Sequence, residues 1–280
     1  MTQVQRAPVP LVELSGDLGL RYFYHILEAN GVQNGRDLAL IARQTLLHLA
    51  NPKKQRAVSQ TLEALQLRWY DALKAGPPDY AVYGEPEYLA ELWACWSFYS
   101  RSYVLEFKKP KALPPYGIAG RLQAGAKIVD LGCGIGITTA ALVELFPQSV
   151  VFGTNLPDTV QTKIATSLGG VYGFRMVADS SAIKGPTDLV FASEYFEHFE
   201  APIDHLREVL RDLQPKRLIV ANAFTAKSTG HFDLYRVEGE LVDGRTTSRA
   251  FGKELRAAGY KKLATNLWNN RPAVWDLSGV

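Results

Sequence analysis

The chain has 280 residues, 47% of them hydrophobic, with 31 Lys+Arg against 28 Asp+Glu and only two cysteines. That is ample apolar material for a core, between one large domain and two smaller ones, while a net charge of +3 falls far short of the excess a dedicated duplex-binding surface carries. No run approaches the ~18 uninterrupted apolar residues of a membrane helix, the first residues lack a basic-then-apolar leader, and two cysteines build no disulfide framework; the expectation is a cytoplasmic protein with no membrane partner.

Residues 1–16 contain prolines and little periodicity and read as a loosely held arm. From Asp17 the pattern is helical: Leu18, Tyr22, His25, Ile26 and Ala29 recur at helical spacing, and the run stops at Asn30-Gly31, a common C-terminal cap. A second helix is expected over 35–50, a third from Pro52 to Gly76, and a fourth from about Glu85 to Phe107. The fourth is rich in rings (Trp93, Trp96, Phe98, Tyr99, Tyr103) and has to pack on something. Two basic clusters, Lys53-Lys54-Gln55-Arg56 and Lys108-Lys109-Pro110-Lys111, read first as solvated ends and second as phosphate contacts. The proline- and glycine-bearing segment 108–125 marks a boundary, giving a helical module over 1–110, whose residues 17–107 are expected to close over the carboxyl edge of the sheet and cap the acceptor site, and an α/β domain over 111–280.

That domain opens on Lys127-Ile128-Val129-Asp130-Leu131-Gly132-Cys133-Gly134-Ile135-Gly136-Ile137-Thr138-Thr139. An apolar run of this kind is a buried parallel strand, closely spaced glycines let the backbone approach a ligand, and the stretch after them can start a helix over it. A dinucleotide turn wants its third glycine where Ile137 stands. The spacing D-x-G-x-G-x-G instead resembles motif I of the class I S-adenosylmethionine-dependent methyltransferases. Strand-like stretches then alternate with helix-like ones: strands at 150–153, 174–177, 187–192, 217–221, 262–267 and 273–276, helices ending near Pro147 and over 158–168, 202–213 and 248–258, with a longer polar connection over 222–247. Seven strands in this rhythm match that family's Rossmann-like sheet, whose last strand the resemblance makes antiparallel.

The resemblance also implies cofactor contacts. Asp130, Gly132, Cys133, Gly134 and Gly136 form the turn, Asn155 and Leu156 stand where the family grips the ribose with an acid, Asp179 and Ser180 stand at the adenine, and Glu194 closes the group. An amide at 155 forfeits a charge-assisted bond, so Asn155→Asp is expected to tighten the cofactor.

After the fourth strand comes Ser193-Glu194-Tyr195-Phe196-Glu197-His198-Phe199. On a helical turn Glu194, Glu197 and His198 would project together, a spacing suited to one hard cation or one base. This E-x-x-E-H resembles the metal motif of plant small-RNA 2′-O-methyltransferases and of ubiquinone-pathway O-methyltransferases, which add a further histidine after the fifth strand; His231 is the candidate so placed. The alternative keeps His198 as a metal-free base with a pKa near neutrality. Mg²⁺ and no metal both stand open at this point. The reading that follows is a methyltransferase acting on a small-molecule hydroxyl. RNA or nucleotide methylation ranks second, and a catalytically inactive binding protein of the same fold third.

Overall fold

The computed structural model describes residues 8–51, 60–108, 122–183, 185–263 and 272–277. The first basic cluster, the second apart from Lys108, most of the 108–125 boundary, the expected start of the third helix and the end of the strand expected at 262–267 lie outside the described residues.

Four helices precede the sheet: α1 (Asp17–Ala29), α2 (Gly35–Ala50), α3 (Gln60–Ala75) and α4 (Pro86–Lys108). The strands β1 (Lys127–Leu131), β2 (Val150–Thr154), β3 (Arg175–Val177), β4 (Leu189–Ser193) and β5 (Arg217–Ala221) alternate with α5 (Ile137–Leu145), α6 (Val160–Tyr172) and α7 (Pro202–Leu213). After them come a hairpin, β6 (Leu234–Val237) and β7 (Glu240–Asp243), then α8 (Gly244–Ala257), β8 (Tyr260–Leu263) and β9 (Ala273–Leu277). The seven-stranded sheet runs β3-β2-β1-β4-β5-β9-β8, with β9 antiparallel to both its neighbours and the other described pairings parallel.

The hairpin falls inside the stretch read from sequence as a polar connection. Its turn is Glu238-Gly239, both with positive φ (52° and 88°), a two-residue turn whose twist matches the strands it joins. Glu-Gly between two short runs was the available signal.

Period-two alternation divides the sheet between two cores. Ile128, Val151, Leu189, Phe191 and Ile219 face a cluster built with α1, α2, α4, α5 and α6. Val129, Leu131, Val190, Ala192 and Leu218 face a second, built with α7, α8, the hairpin and, from α3, Leu65 and Trp69. The N-terminal helices therefore divide between the two sides, with α1, α2 and α4 packed together and α3 joining the opposite core. Trp93 of α4, fully buried, stacks on Phe23 of α1 with centroids 4.6 Å apart, in the same cluster as Ile135 and Ile137 beside the glycine turn.

Because that cluster is shared, Trp93→Ala should destabilise the whole fold by about 3–5 kcal/mol, as for other buried aromatic truncations. Urea unfolding checks this, and a loss below about 1 kcal/mol would mean that the N-terminal helices rest on the sheet without a common core.

Candidate functional site

The carboxyl ends of β1 to β4 open on a cavity of about 660 Å³. Its floor begins at the glycine turn, where Gly132, Gly134 and Gly136 all have positive φ (64°, 54° and 90°). A Cβ on Gly134 would meet nothing nearer than the Leu92 methyls at 3.8 Å, so this backbone borders open cavity and is what a ligand would touch. Gly132 and Gly134 line the cavity, whereas Asp130, Cys133 and Gly136 stand behind it. Asp130 is buried, and its Oδ2 accepts both the Thr138 and Thr139 hydroxyls at 2.7 Å. Burial raises its carboxyl to about 7 against the opposing pull of those two bonds.

Asn155 lies at the cavity wall, but its amide is turned to the protein. Nδ2 donates to the Gly134 carbonyl at 2.8 Å and to Gln161 Oε1 at 3.2 Å, and Oδ1 accepts the Leu156 N–H at 2.8 Å. Gln161 in turn donates to the Tyr83 carbonyl at 2.6 Å. Asn155 thus braces the glycine turn against the segment before α4. The expectation for Asn155→Asp reverses sign, because a carboxylate there would face two acceptors and lose two donors. Leu156, Asp179 and Ser180 also line the cavity. Asp179 Oδ1 accepts the Ser181 N–H at 2.8 Å and its hydroxyl at 2.5 Å, bonds that hold its carboxyl below the usual range.

Beyond β4 the chain does not form the helical turn expected there. Glu194 takes a left-handed conformation (φ 52°), with its N–H donating to the Ala221 carbonyl at 2.7 Å, and Phe196–His198 is a single 3₁₀ turn. The expectation that Glu194, Glu197 and His198 project together is corrected accordingly, since i, i+3, i+4 neighbours share a face only on a continuous α-helix. Instead Glu194, Glu197 and His231 each present a ligand atom within 4.8 Å of one another. Glu197 is fully buried; its Oε1 accepts the Ala223 N–H at 2.7 Å, and among the described residues its Oε2 receives no hydrogen bond. Burial, and after it the Glu194 charge, push this carboxyl well above the ordinary range. His231 Nδ1–H donates to the Ala226 carbonyl at 2.9 Å, and Trp69 Nε1–H donates to the carbonyl of His231 at 2.6 Å.

His198 turns away from this trio. Its Nδ1 shares a hydrogen bond with Tyr83 Oη at 2.6 Å, and its ring stands edge-on to His231. Burial, with the charge of His231 second, lowers its pKa to about 3. The near-neutral base expected from sequence is therefore a neutral imidazole at physiological pH. Gly230 makes room for the pair, having φ +86° and a Cβ direction that ends 1.9 Å from Tyr83 Oη.

The roof comes from residues that sequence reasoning did not assign to the site. Tyr88, Glu91, Leu92, Cys95, Trp96 and Tyr99 form one face of α4 over the cavity, and Tyr80 and Tyr83 continue it. The module was expected to cap this edge of the sheet; the signal for the residues themselves was their spacing of i, i+3, i+4, i+7, i+8 and i+11. Burial raises the Glu91 carboxyl to about 7.

Residues 105–265 match the methyltransferase domain family. Over 94 residues the chain is 34% identical to a trans-aconitate 2-methyltransferase of an Azoarcus species, covering 34% of this chain and 37% of that protein. Over 161 residues it is 26% identical to a trans-aconitate 2-methyltransferase of Methylobacterium nodulans, covering 56% and 62%. The chain thus spans less than two thirds of the length of either curated relative. An O-methyltransferase family protein from Burkholderia thailandensis shares the fold, with a TM-score of 0.50 at 14% identity over 77% of this chain and 69% of that one.

Asn155→Asp should lower stability by about 1–3 kcal/mol, the cost of stranding buried partners. Thermal unfolding without ligand reads it, and an unchanged melting temperature would show that Asn155 does not hold the turn.

Proposed function

The chain belongs to the S-adenosylmethionine-dependent methyltransferases of class I, and on that premise we propose that it methylates a hydroxyl of an uncharged, ring-bearing small molecule. The observation that carries this reading is the make-up of the cavity beside the glycine turn. Tyr80, Tyr83, Tyr88, Trp96, Tyr99 and Phe199 supply rings, and the charged side chains among the described lining residues are acids, namely Glu91, Asp179 and Glu194. Trans-aconitate, the compound in the relatives' names, is a tricarboxylate. A site for it would call for arginine or lysine forks, and none lines the cavity among the described residues.

The glycine turn fits the cofactor because its backbone is open where a side chain at Gly134 would stand. When bound, S-adenosylmethionine supplies a methyl group on a sulfonium that is already activated. The chain's own residues supply alignment and exclude water: the α4 face covers the cavity, and Tyr83 and His198 brace each other at its end. The acceptor's proton would go to the carboxylate of Glu194, which lines the cavity with Glu197 buried behind it. A second reading is favoured by the unpartnered Glu197 Oε2 next to Glu194 and His231. Two carboxylates and an imidazole suit a hard divalent cation such as Mg²⁺, which would lower the pKa of an acceptor hydroxyl. His198 is outside this donor set. RNA or nucleotide methylation is the weaker reading, since the acids of the cavity would repel phosphates.

Gly134→Val should abolish S-adenosylhomocysteine binding in a protein that still folds, and calorimetry with unchanged affinity would remove the cofactor assignment. With S-adenosylhomocysteine in place, 2-naphthol should bind and trans-aconitate should not; the reverse order would reject the acceptor class.

Glu194→Gln should lower turnover by about 10²-fold or more, as removal of a proton acceptor does. Chelator followed by Mg²⁺ separates the two readings. Loss and recovery of activity would support the cation, and indifference the Glu194 carboxylate alone.

A further inference from the structure

Helix α4 carries one charged side chain on the described part of its cavity face, Glu91. Its neighbours there are apolar or aromatic apart from the Cys95 thiol, and no group among the described residues hydrogen-bonds or ion-pairs with its half-buried carboxylate. Desolvating a carboxylate costs stability unless a donor faces it, and a ligand in the cavity would supply one.

Three other polar groups of the cavity already have neighbours in the protein. Asp179 is bound to Ser181 through its N–H and hydroxyl, Glu194 lies against Glu197 and His231, and the Asn155 amide is spent on Gly134, Gln161 and Leu156. Glu91 adjoins Leu92, whose methyls lie 3.8 Å from the Cβ direction of Gly134. It also stands one turn from Tyr88, which feels the charges of both Glu91 and Glu194. Glu91 thus lines the same cavity as the glycine turn and the end of β4.

We propose that Glu91 is a cofactor-binding residue, accepting hydrogen bonds from donor groups of S-adenosylmethionine across the cavity from the glycine turn. This rests on the cofactor assignment above. The cofactor offers two sets of donors, the ribose hydroxyls and the α-ammonium, and a charged acceptor serves either better than a neutral one.

The test is calorimetry on wild type and Glu91→Gln with S-adenosylhomocysteine and with 5′-methylthioadenosine, which keeps the ribose and lacks the ammonium. Glu91→Gln should weaken S-adenosylhomocysteine about tenfold or more, while the ligand-free melting temperature stays level or rises because a desolvated charge has gone. Glu91→Ala should behave alike. Weakening of both ligands assigns the ribose, and weakening of S-adenosylhomocysteine alone assigns the ammonium; each supports the proposal. Wild-type affinity for both ligands in Glu91→Gln overturns it, and so does a ligand-free protein that melts lower, since Glu91 would then have a structural partner. Failure of the wild type to bind S-adenosylhomocysteine would instead remove the cofactor assignment, an outcome distinct from these.

Discussion

One carboxylate oxygen, Asp130 Oδ2, accepts two threonine hydroxyls from the first turn of α5, and the rest of the site is assembled around that junction. The chain has to reverse from strand to helix within a few residues, and it does so through three glycines in left-handed conformations. Those conformations leave the backbone bare but fix nothing by themselves. The buried acid supplies the missing restraint by binding the end of β1 to the start of α5 from behind, out of reach of the cavity. Asn155 supplies it from the front, through the Gly134 carbonyl. The turn is held on both sides and open only where a ligand would enter.

Helix α4 has to satisfy two surfaces at once. Leu89, Ala90, Trp93 and Ala94 are buried in the core shared with α1, α2 and α5, while the residues between them roof the cavity. A helix with rings on most of its circumference has no solvent face to spare, which is why it lies between a core and a cavity and not on the surface. The roof is accordingly anchored in that core. Tyr83, just ahead of α4, extends this anchoring to the far wall through His198 and through Gln161.

The acid and histidine pairs beyond β4 are sorted by backbone geometry. Had 194–198 continued as an α-helix, Glu194, Glu197 and His198 would have shared one face. The left-handed Glu194 and the 3₁₀ turn after it send Glu197 inward to Ala223 and His198 sideways to Tyr83. His231 takes the place that His198 vacates, delivered by the segment between β5 and the hairpin and held by Trp69 of α3. A single motif of five residues thus contributes to two arrangements, one acidic and buried, the other a neutral imidazole paired with a phenol.

Much of this was legible in the amino-acid order because it is local. The strand, glycine turn and helix at 127–145, the alternation of strands and helices after it, and the antiparallel last strand implied by resemblance all correspond to elements of the fold, since hydrophobic period and glycine spacing act over a few residues. The Glu238-Gly239 hairpin was equally local and was passed over. What the order of residues left undecided was pairing across the chain. Tyr83 and His198 are 115 positions apart, and Trp69 and His231 are 162 apart. A helical stripe announces that a face will be covered without saying which residues meet what, so sequence suggested a helical cap over the carboxyl edge of the sheet but not which side chains of α4 would line the cavity. Asn155 shows the same limit in a single side chain: its identity was plain, but whether its amide faced a ligand or the Gly134 carbonyl depended on where two distant loops met, and that is a property of the packed fold alone.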